Sequence, residues 1–175
     1  MRIERVRVPE HPMMERARQL YAQSFPVYEQ RQYASQARIM GHEQYHYGMI
    51  MEEDAFLGLI LYWETADFIY VEHFCMMEQV RGQGLGSRAL ALLGRGGKTV
   101  ILEIDPPVDA VSMRRKGFYE RAGFCANPYP HVHPPYDRAH TGHALTVMSY
   151  PQGLTPVQYE RFARYLSQTV MDHVF

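Results

Sequence analysis

The sequence has few cysteines, no surplus of charge and no long apolar run, and each shortage excludes a class of protein. Its 175 residues include two cysteines, Cys75 and Cys125, too few for the disulfide framework of a small secreted domain. Lys and Arg number 18 against 19 Asp and Glu, a formal net charge of −1, so the chain lacks the electrostatic footprint of a nucleic-acid-binding or anionic-membrane-binding protein. No run of about eighteen apolar residues occurs, so no transmembrane helix is expected.

The first residues do not look like an export signal. Charged side chains are interspersed through residues 1–7, where a signal peptide would carry its apolar segment. With two cysteines expected to be free thiols, this predicts a reduced, cytoplasmic protein. The length and a hydrophobic content of 46% predict one folded domain over residues 1–175, with a core at about 1–150 and an added strand exit and helix at 151–175.

The hydrophobic pattern predicts an α+β domain with a mixed, mostly antiparallel central sheet flanked by helices. The tail is predicted to be an added helix, because Thr155, Pro156 and Gln158 form a start signal with a capping box. Its apolar stripe must pack on the domain or on a second subunit, so a homodimer is possible. That stripe consists of Tyr159, Phe162, Leu166, Val170, His173 and Val174. The other predicted elements are strands at 3–8, 45–51, 55–63, 68–77, 99–104, 124–129 and 143–150, and helices at about 13–24, 29–40, 87–93 and 112–122.

The most informative stretch is a strand that runs into a glycine-rich turn and then a helix. Gly82, Gly84 and Gly86 let the backbone approach a ligand closely, and the following helix contributes the positive end of its dipole. The turn therefore predicts a site for an anion, most naturally a pyrophosphate. A Walker A motif is excluded because Ser87 and Arg88 follow the glycines in place of Lys-Ser/Thr. A Rossmann fingerprint is excluded because the preceding strand closes a meander and no clear βαβ unit follows.

Two motifs in order resemble those of the GNAT superfamily of N-acetyltransferases. Residues 81–86 resemble its Arg/Gln-x-x-Gly-x-Gly/Ala signature, and residues 117–124 its aromatic-Tyr-x-x-x-Gly-Phe helix end. The resemblance extends over about residues 2–150 and implies the GNAT fold and acetyl-coenzyme A as co-substrate. The turn amides would hold the pyrophosphate, and the strand before the turn would pair with the pantetheine arm. The coenzyme-binding residues that it implies are Met76, Met77, Arg81, Gly82, Gln83, Gly84, Leu85, Gly86, Ser87, Ser112 and Arg115.

Acetyl transfer to an amine requires a base that takes a proton from the ammonium group. Glu72 is the first candidate, because a carboxylate in an otherwise apolar strand would be desolvated and its pKa raised. It also matches the position of a glutamate base in some members of the family. The alternative is that Glu72 pairs with an arginine. Glu103, on the neighbouring strand, is the second candidate base. His73 should point to the opposite sheet face from Glu72 and is interpreted as a core histidine.

Thiolate departure requires an acid, and the resemblance implies Tyr119 for that role; the alternative is a packed aromatic ring. A backbone N–H near Met76 or Met77 is expected to polarise the thioester carbonyl. Arg115 belongs to a basic run at 114–116 that could meet the 3′-phosphate or be solvated. A proline-rich loop carries four histidines, which could line the acceptor pocket; their directions do not favour a metal site. They are His131, His133, His140 and His143.

The sequence therefore predicts an N-acetyltransferase that transfers an acetyl group from acetyl-coenzyme A to a primary amine by direct attack in a ternary complex. The expected partner is an amine acceptor, either a small molecule or a peptide, without nucleic acid, membrane or metal. The alternative is a non-catalytic module that binds acyl-coenzyme A for sensing or assembly.

Overall fold

The computed structural model describes residues 1–172 and 174. Its strands are β1 Arg2–Val6, β2 Tyr45–Glu52, β3 Ala55–Glu64, β4 Phe68–Met76, β5 Thr99–Ile104, β6 Cys125–Ala126, β7 Val132–His133, β8 His143–Ala144 and β9 Thr146–Tyr150. Its α-helices are α1 Met14–Ser24, α2 Tyr33–Ile39, α3 Leu85–Gly94, α4 Ala110–Arg121 and α5 Pro156–Tyr165. Short 3₁₀ turns lie at Val27–Glu29 and Glu78–Val80, and a π-helical turn, Leu166–Val170, extends α5.

A seven-stranded sheet in the order β1-β2-β3-β4-β5-β9-β6 forms the centre of the molecule. Its strands pair antiparallel except β4 with β5, which are parallel. The predicted α+β class with a mixed, mostly antiparallel sheet is confirmed. A separate two-stranded hairpin of β7 and β8 lies within the proline-rich loop. The sequence predicts a loop between strands at 124–129 and 143–150; the structure instead places β7 within that loop and divides the second predicted strand into β8 and β9.

Helices cover both faces of the sheet. Helices α1, α2 and α5 bury the core cluster that contains Trp63, Tyr70 and Phe162, and α3 and α4 bury the cluster that contains Leu90 and Tyr119. The tail therefore packs on its own domain through Phe162, Leu166 and Val170, and Val174 is also buried; His173 lies outside the described residues. Within residues 1–172 and 174, no helix is long and apolar enough to cross a membrane.

The two parallel strands separate halfway along. Pairing between β4 and β5 extends from Phe68 to Val71 on one strand and from Thr99 to Leu102 on the other. The rest of β5 continues along β9, while the rest of β4 continues along β3. The sheet therefore opens into a wedge beyond this point, and the wedge contains the candidate site.

A β-bulge in β4 lies at the start of this wedge. Leu61 faces His73 and the next residue of β3 faces Val71, so Glu72 is an extra residue in its strand. The bulge interrupts the alternation of side chains and turns Glu72 and His73 to the same face, where both lie against Tyr136. The prediction that these two side chains point to opposite faces is therefore wrong, because a single inserted residue reverses the alternation on which it rested.

Helix boundaries differ from the predicted ones where local capping was not recognised. Helix α4 begins at Ala110 rather than near 112, because the Asp109 side chain accepts hydrogen bonds from the Val111 and Ser112 amides. Helix α5 begins at Pro156, after a capping box between Thr155 and Gln158, as the sequence predicts.

Candidate active site

A cavity of about 840 Å³ opens in the wedge between β4 and β5. We define two groups of lining residues, which lie towards opposite faces of the sheet. The glycine-turn arm consists of Arg81, Gly82, Gly84, Leu85, Gly86, Ser87, Phe118 and Tyr119. The histidine arm consists of Tyr28, Glu29, Glu72, Glu103, His133, Tyr136 and His143. Because β4 and β5 have separated here, one cavity can be lined from both faces.

The glycine turn leads directly into α3. Gly82 and Gly84 have φ angles of 77° and 73°, which explains the need for glycine at these positions. A Cβ atom at either position would meet no atom within 4 Å, so open space faces the turn. Gly86 serves a different purpose, because a Cβ there would lie 3.3 Å from the Phe118 ring. The first turn of α3 lines the same cavity, and its amides without helical partners, together with the helix dipole, favour an anion.

Four of the predicted coenzyme-binding residues in and around this arm differ in their contacts. Met76 is buried and lines the cavity, and Arg81 donates from Nε to the Met76 carbonyl at 3.1 Å. The Met77 amide instead donates to the Leu57 carbonyl on β3, outside the cavity lining. The Gln83 side chain donates to the Gln79 carbonyl, so at this residue the turn offers its backbone only.

Ser112 and Arg115 lie on α4 in different settings. The Ser112 hydroxyl is buried and is bonded to the backbone and carboxylate of Asp109 in a capping box, outside the cavity lining. This bonding argues against the predicted role for its side chain, because the hydroxyl already serves the helix start. Arg115 lines the cavity and pairs with Asp105 at 2.5 Å on the surface.

The Glu72 carboxylate is fully buried and receives hydrogen bonds from three other side chains. Arg31 donates to Oε1 from Nε and Nη2 at 3.1 and 2.9 Å, the Trp63 indole donates to Oε2 at 2.8 Å, and Tyr136 donates to Oε1 at 3.0 Å. Burial alone would raise the pKa of Glu72, but Arg31, His73 and the Trp63 indole hold it below its ordinary value. The expectation of a raised pKa is therefore wrong. Glu72 as the base stays a prediction, with both of its oxygens already accepting hydrogen bonds.

Glu103 occupies a second buried network. Tyr70 donates to Oε2 at 2.5 Å, His131 Nε2 is bonded to Oε1, and His133 Nε2 lies 3.9 Å from Oε2. Burial would raise the pKa of Glu103, but His133, His131 and the Tyr70 hydroxyl lower it. Its role as the second candidate base also stays a prediction, and its oxygens too are engaged.

The four histidines of the proline-rich loop have separate environments. His133 and His143 line the cavity. His131 is buried between Glu103 and Tyr159, and His140 is exposed. Among residues 1–172 and 174, no group of three or more His, Cys, Asp or Glu side chains could hold a metal ion.

Tyr119 lies in the glycine-turn arm. Its ring packs against Phe118 and Phe124, and the side chain is buried while still lining the cavity. Burial raises the pKa of Tyr119 to about 12, so its hydroxyl keeps its proton at neutral pH. His73 is buried, as predicted for a core histidine, but also lines the cavity; its Nε2 contacts the Tyr21 hydroxyl at 3.1 Å and the Glu29 carbonyl at 2.8 Å.

Two residues of the site were not recognised in the sequence. Arg31 follows α1 without any periodic signal, and its partner lies 41 positions away. Its guanidinium also donates to Ser35 and to the Val170 carbonyl, which ties the tail to the site. Glu29 lines the cavity half-buried, and burial together with nearby Asp105 raises its pKa. For both Arg31 and Glu29, the only signal in the sequence was a charged side chain within a weak helical pattern.

Replacing Arg31 by Met should expose the energetic role of the buried pair. The variant leaves the Glu72 carboxylate unpaired, so we expect the free energy of unfolding at pH 7 to fall by about 3–5 kcal/mol in urea denaturation. In the wild type, the pKa of Glu72 is lowered. Its contribution to the free energy of unfolding is therefore fully present above pH 4.5, the ordinary pKa, and is lost as the pH falls through the lowered pKa. In the variant, burial is no longer opposed by Arg31 and raises that pKa, so the difference in the free energy of unfolding between the two proteins should shrink as the pH falls from 7 to 4.5.

The double variant Arg31→Met/Glu72→Gln is the matched control and should regain part of the loss, because it removes the unpaired charge. A single variant within about 1 kcal/mol of the wild type at pH 7 would contradict this interpretation. So would a difference in stability that widens on acidification.

Comparison with known proteins agrees with the fold. The sequence profile of the Acetyltransferase (GNAT) family matches residues 14–124, more than half of the chain. The Bacillus subtilis (strain 168) protein named “Putative acetyltransferase YjbC” is 32% identical over 68 residues, which are 38% of this chain and 35% of that protein. This chain therefore matches about a third of that relative's length.

Solved structures extend the comparison. The “Putative acetyltransferase from GNAT family” of Bacteroides thetaiotaomicron superposes with a TM-score of 0.90 at 26% identity, over 98% of each chain. An aminoglycoside 6′-N-acetyltransferase complexed with coenzyme A superposes with a TM-score of 0.59 at 14% identity, over 85% of this chain and 96% of that one; at this identity the similarity concerns the fold alone. Because the family profile matches more than half of its length, the chain belongs to the GNAT acetyltransferase family.

Proposed function

We propose that the protein transfers an acetyl group from acetyl-coenzyme A to a primary amine by direct attack in a ternary complex. The proposal rests on the cavity in the wedge, because it is lined by the glycine turn in one arm and by ionisable groups in the other. Such a cavity would let two substrates meet between β4 and β5. Direct attack then requires no covalent intermediate on the protein.

The glycine-turn arm fits the pyrophosphate of coenzyme A. Open space faces Gly82 and Gly84, and the first residues of α3, at 85–87, line the cavity at the positive end of the helix dipole. Arg115, on the rim, would contribute a positive charge. The coenzyme A in the structurally similar aminoglycoside acetyltransferase supports the choice of coenzyme, whereas the acceptor of that protein is not transferred to this chain.

The reacting groups would meet where β4 leaves β5. The Met77 amide points to β3, and successive amides of a strand point to opposite edges, so the Met76 amide faces the wedge. It is placed to polarise the thioester carbonyl. Tyr119 would donate its hydroxyl proton to the departing thiolate, since its raised pKa keeps that proton in place at neutral pH.

The activity is tested by incubating the full chain with acetyl-coenzyme A and a panel of small amines and peptides, while free coenzyme A thiol is measured. We expect amine-dependent thiol release by the wild type. Gly84→Asp and Gly84→Asn are matched variants. Asp and Asn both adopt the positive φ angle of this position more readily than most residues, but only the Asp carboxylate repels a pyrophosphate. Calorimetry should show coenzyme A binding at least about ten-fold weaker, or 1.4 kcal/mol, for the aspartate than for the asparagine variant.

Each contrary outcome has a separate meaning. Coenzyme binding without thiol release for any amine would favour the non-catalytic module. Equal affinities of the two Gly84 variants, both folded by thermal unfolding, would contradict binding of the pyrophosphate at the turn.

Tyr119→Phe tests the acid. The change deletes one hydroxyl and keeps the ring that packs on Phe118 and Phe124, so stability and coenzyme affinity should stay near those of the wild type. We expect kcat to fall by at least about ten-fold, because the hydroxyl acts only when the thiolate leaves. Wild-type kcat in the variant would limit Tyr119 to packing and leave protonation of the thiolate to water.

A further inference from the structure

The ring of His133 is held in one orientation at the edge of the cavity. It extends from β7, which pairs with β8, and its side chain is 3% exposed. Nδ1 lies 2.6 Å from the Pro134 carbonyl oxygen. A carbonyl only accepts hydrogen bonds, so Nδ1 carries a proton and the neutral ring has its lone pair on Nε2. The backbone therefore selects the tautomer of this side chain.

The surroundings of Nε2 suit a group that gains a proton. Its neighbours are the Tyr136 hydroxyl at 3.3 Å and Glu103 Oε2 at 3.9 Å. The single Tyr136 proton is directed to Glu72, at 3.0 Å, and Tyr70 donates to Glu103 Oε2. With these bonds in place, neither neighbour donates to Nε2. Once protonated, Nε2 could donate to the Tyr136 oxygen, with the Glu103 carboxylate close enough to stabilise the added charge.

The two buried carboxylates contrast with this arrangement. Both oxygens of Glu72 and both oxygens of Glu103 already accept hydrogen bonds from protein donors. These bonds stabilise the charged form of each carboxylate and so make it a weaker proton acceptor. His131, the other histidine beside Glu103, is bonded at both ring nitrogens and lies outside the cavity lining.

We propose that His133 is the general base of the reaction, a role that rests on the acetyl transfer proposed above. Nε2 takes one proton from the acceptor ammonium, directly or through one water, and the freed lone pair attacks the thioester carbonyl carbon. The C–N bond forms, the C–S bond breaks, and the thiolate takes the Tyr119 proton. The nitrogen loses its second proton, which restores the Tyr119 hydroxyl, and His133 releases its proton to solvent. Glu72, Arg31 and Glu103 act as positioning residues.

The test uses chemical rescue of the full-length protein. His133→Ala should lower kcat by about 10²- to 10⁴-fold, the usual contribution of a positioned base, with coenzyme A affinity within about two-fold by calorimetry. Free imidazole should restore at least part of the rate, because the deletion leaves space beside the cavity. Rescue by substituted imidazoles of similar size should increase with the pKa of the added base, a response that a packing role would not give.

The controls separate the base from its scaffold. His131→Ala removes a histidine beside the same carboxylate, and imidazole should not rescue it. If His133→Ala fails to fold, His133→Asn keeps a donor for the Pro134 carbonyl and should show the same loss of kcat. Folded His133 variants with kcat within about three-fold of wild type, or a loss that no imidazole restores, would overturn the proposal. An inactive wild type would contradict the acetyl transfer itself, and is recognised before any variant is made.

Discussion

The site depends on the separation of β4 from β5 after four paired residues on each strand. Continued parallel pairing beyond Val71 and Leu102 would close the sheet and leave no space for two substrates. The Glu72 bulge lies at the first position of the separated segment, and the bulge turns its carboxylate towards Arg31. The wedge therefore gives the chain a cavity and, at the same point, a buried charge that needs a partner.

Two buried carboxylates organise the histidine arm around this wedge. Arg31 neutralises Glu72 and also binds the Val170 carbonyl, so the tail, the segment after α1 and β4 meet at one guanidinium. Glu103 is held by Tyr70 and His131 in the same way on β5. Because removing one partner of a buried pair is costly, these networks fix the geometry of the side chains beside them. A cavity wall that is fixed before substrate arrives loses less entropy on binding.

The sequence was informative where function depends on short local motifs. The turn at Gly82 and Gly84 could be predicted, because positive φ angles and a following helix leave a readable pattern. The partner of Glu72 could not be predicted, since Arg31 lies 41 residues away and a bulge sets the direction of the carboxylate. Ser112 shows a third case, in which a position matched from a family serves a capping box in this chain. Contacts between residues far apart in the sequence could therefore not be predicted from sequence patterns.

A crystal structure of the full chain with coenzyme A would show directly whether the coenzyme binds in the wedge. We expect the pyrophosphate within hydrogen-bonding distance of the amides at residues 82–86, and the sulfur in the wedge between Met76 and Tyr119. The His133 ring should keep its bond to the Pro134 carbonyl and present Nε2 to the space beside the sulfur. Coenzyme bound away from the glycine turn, or a sulfur outside the wedge between β4 and β5, would contradict this expectation.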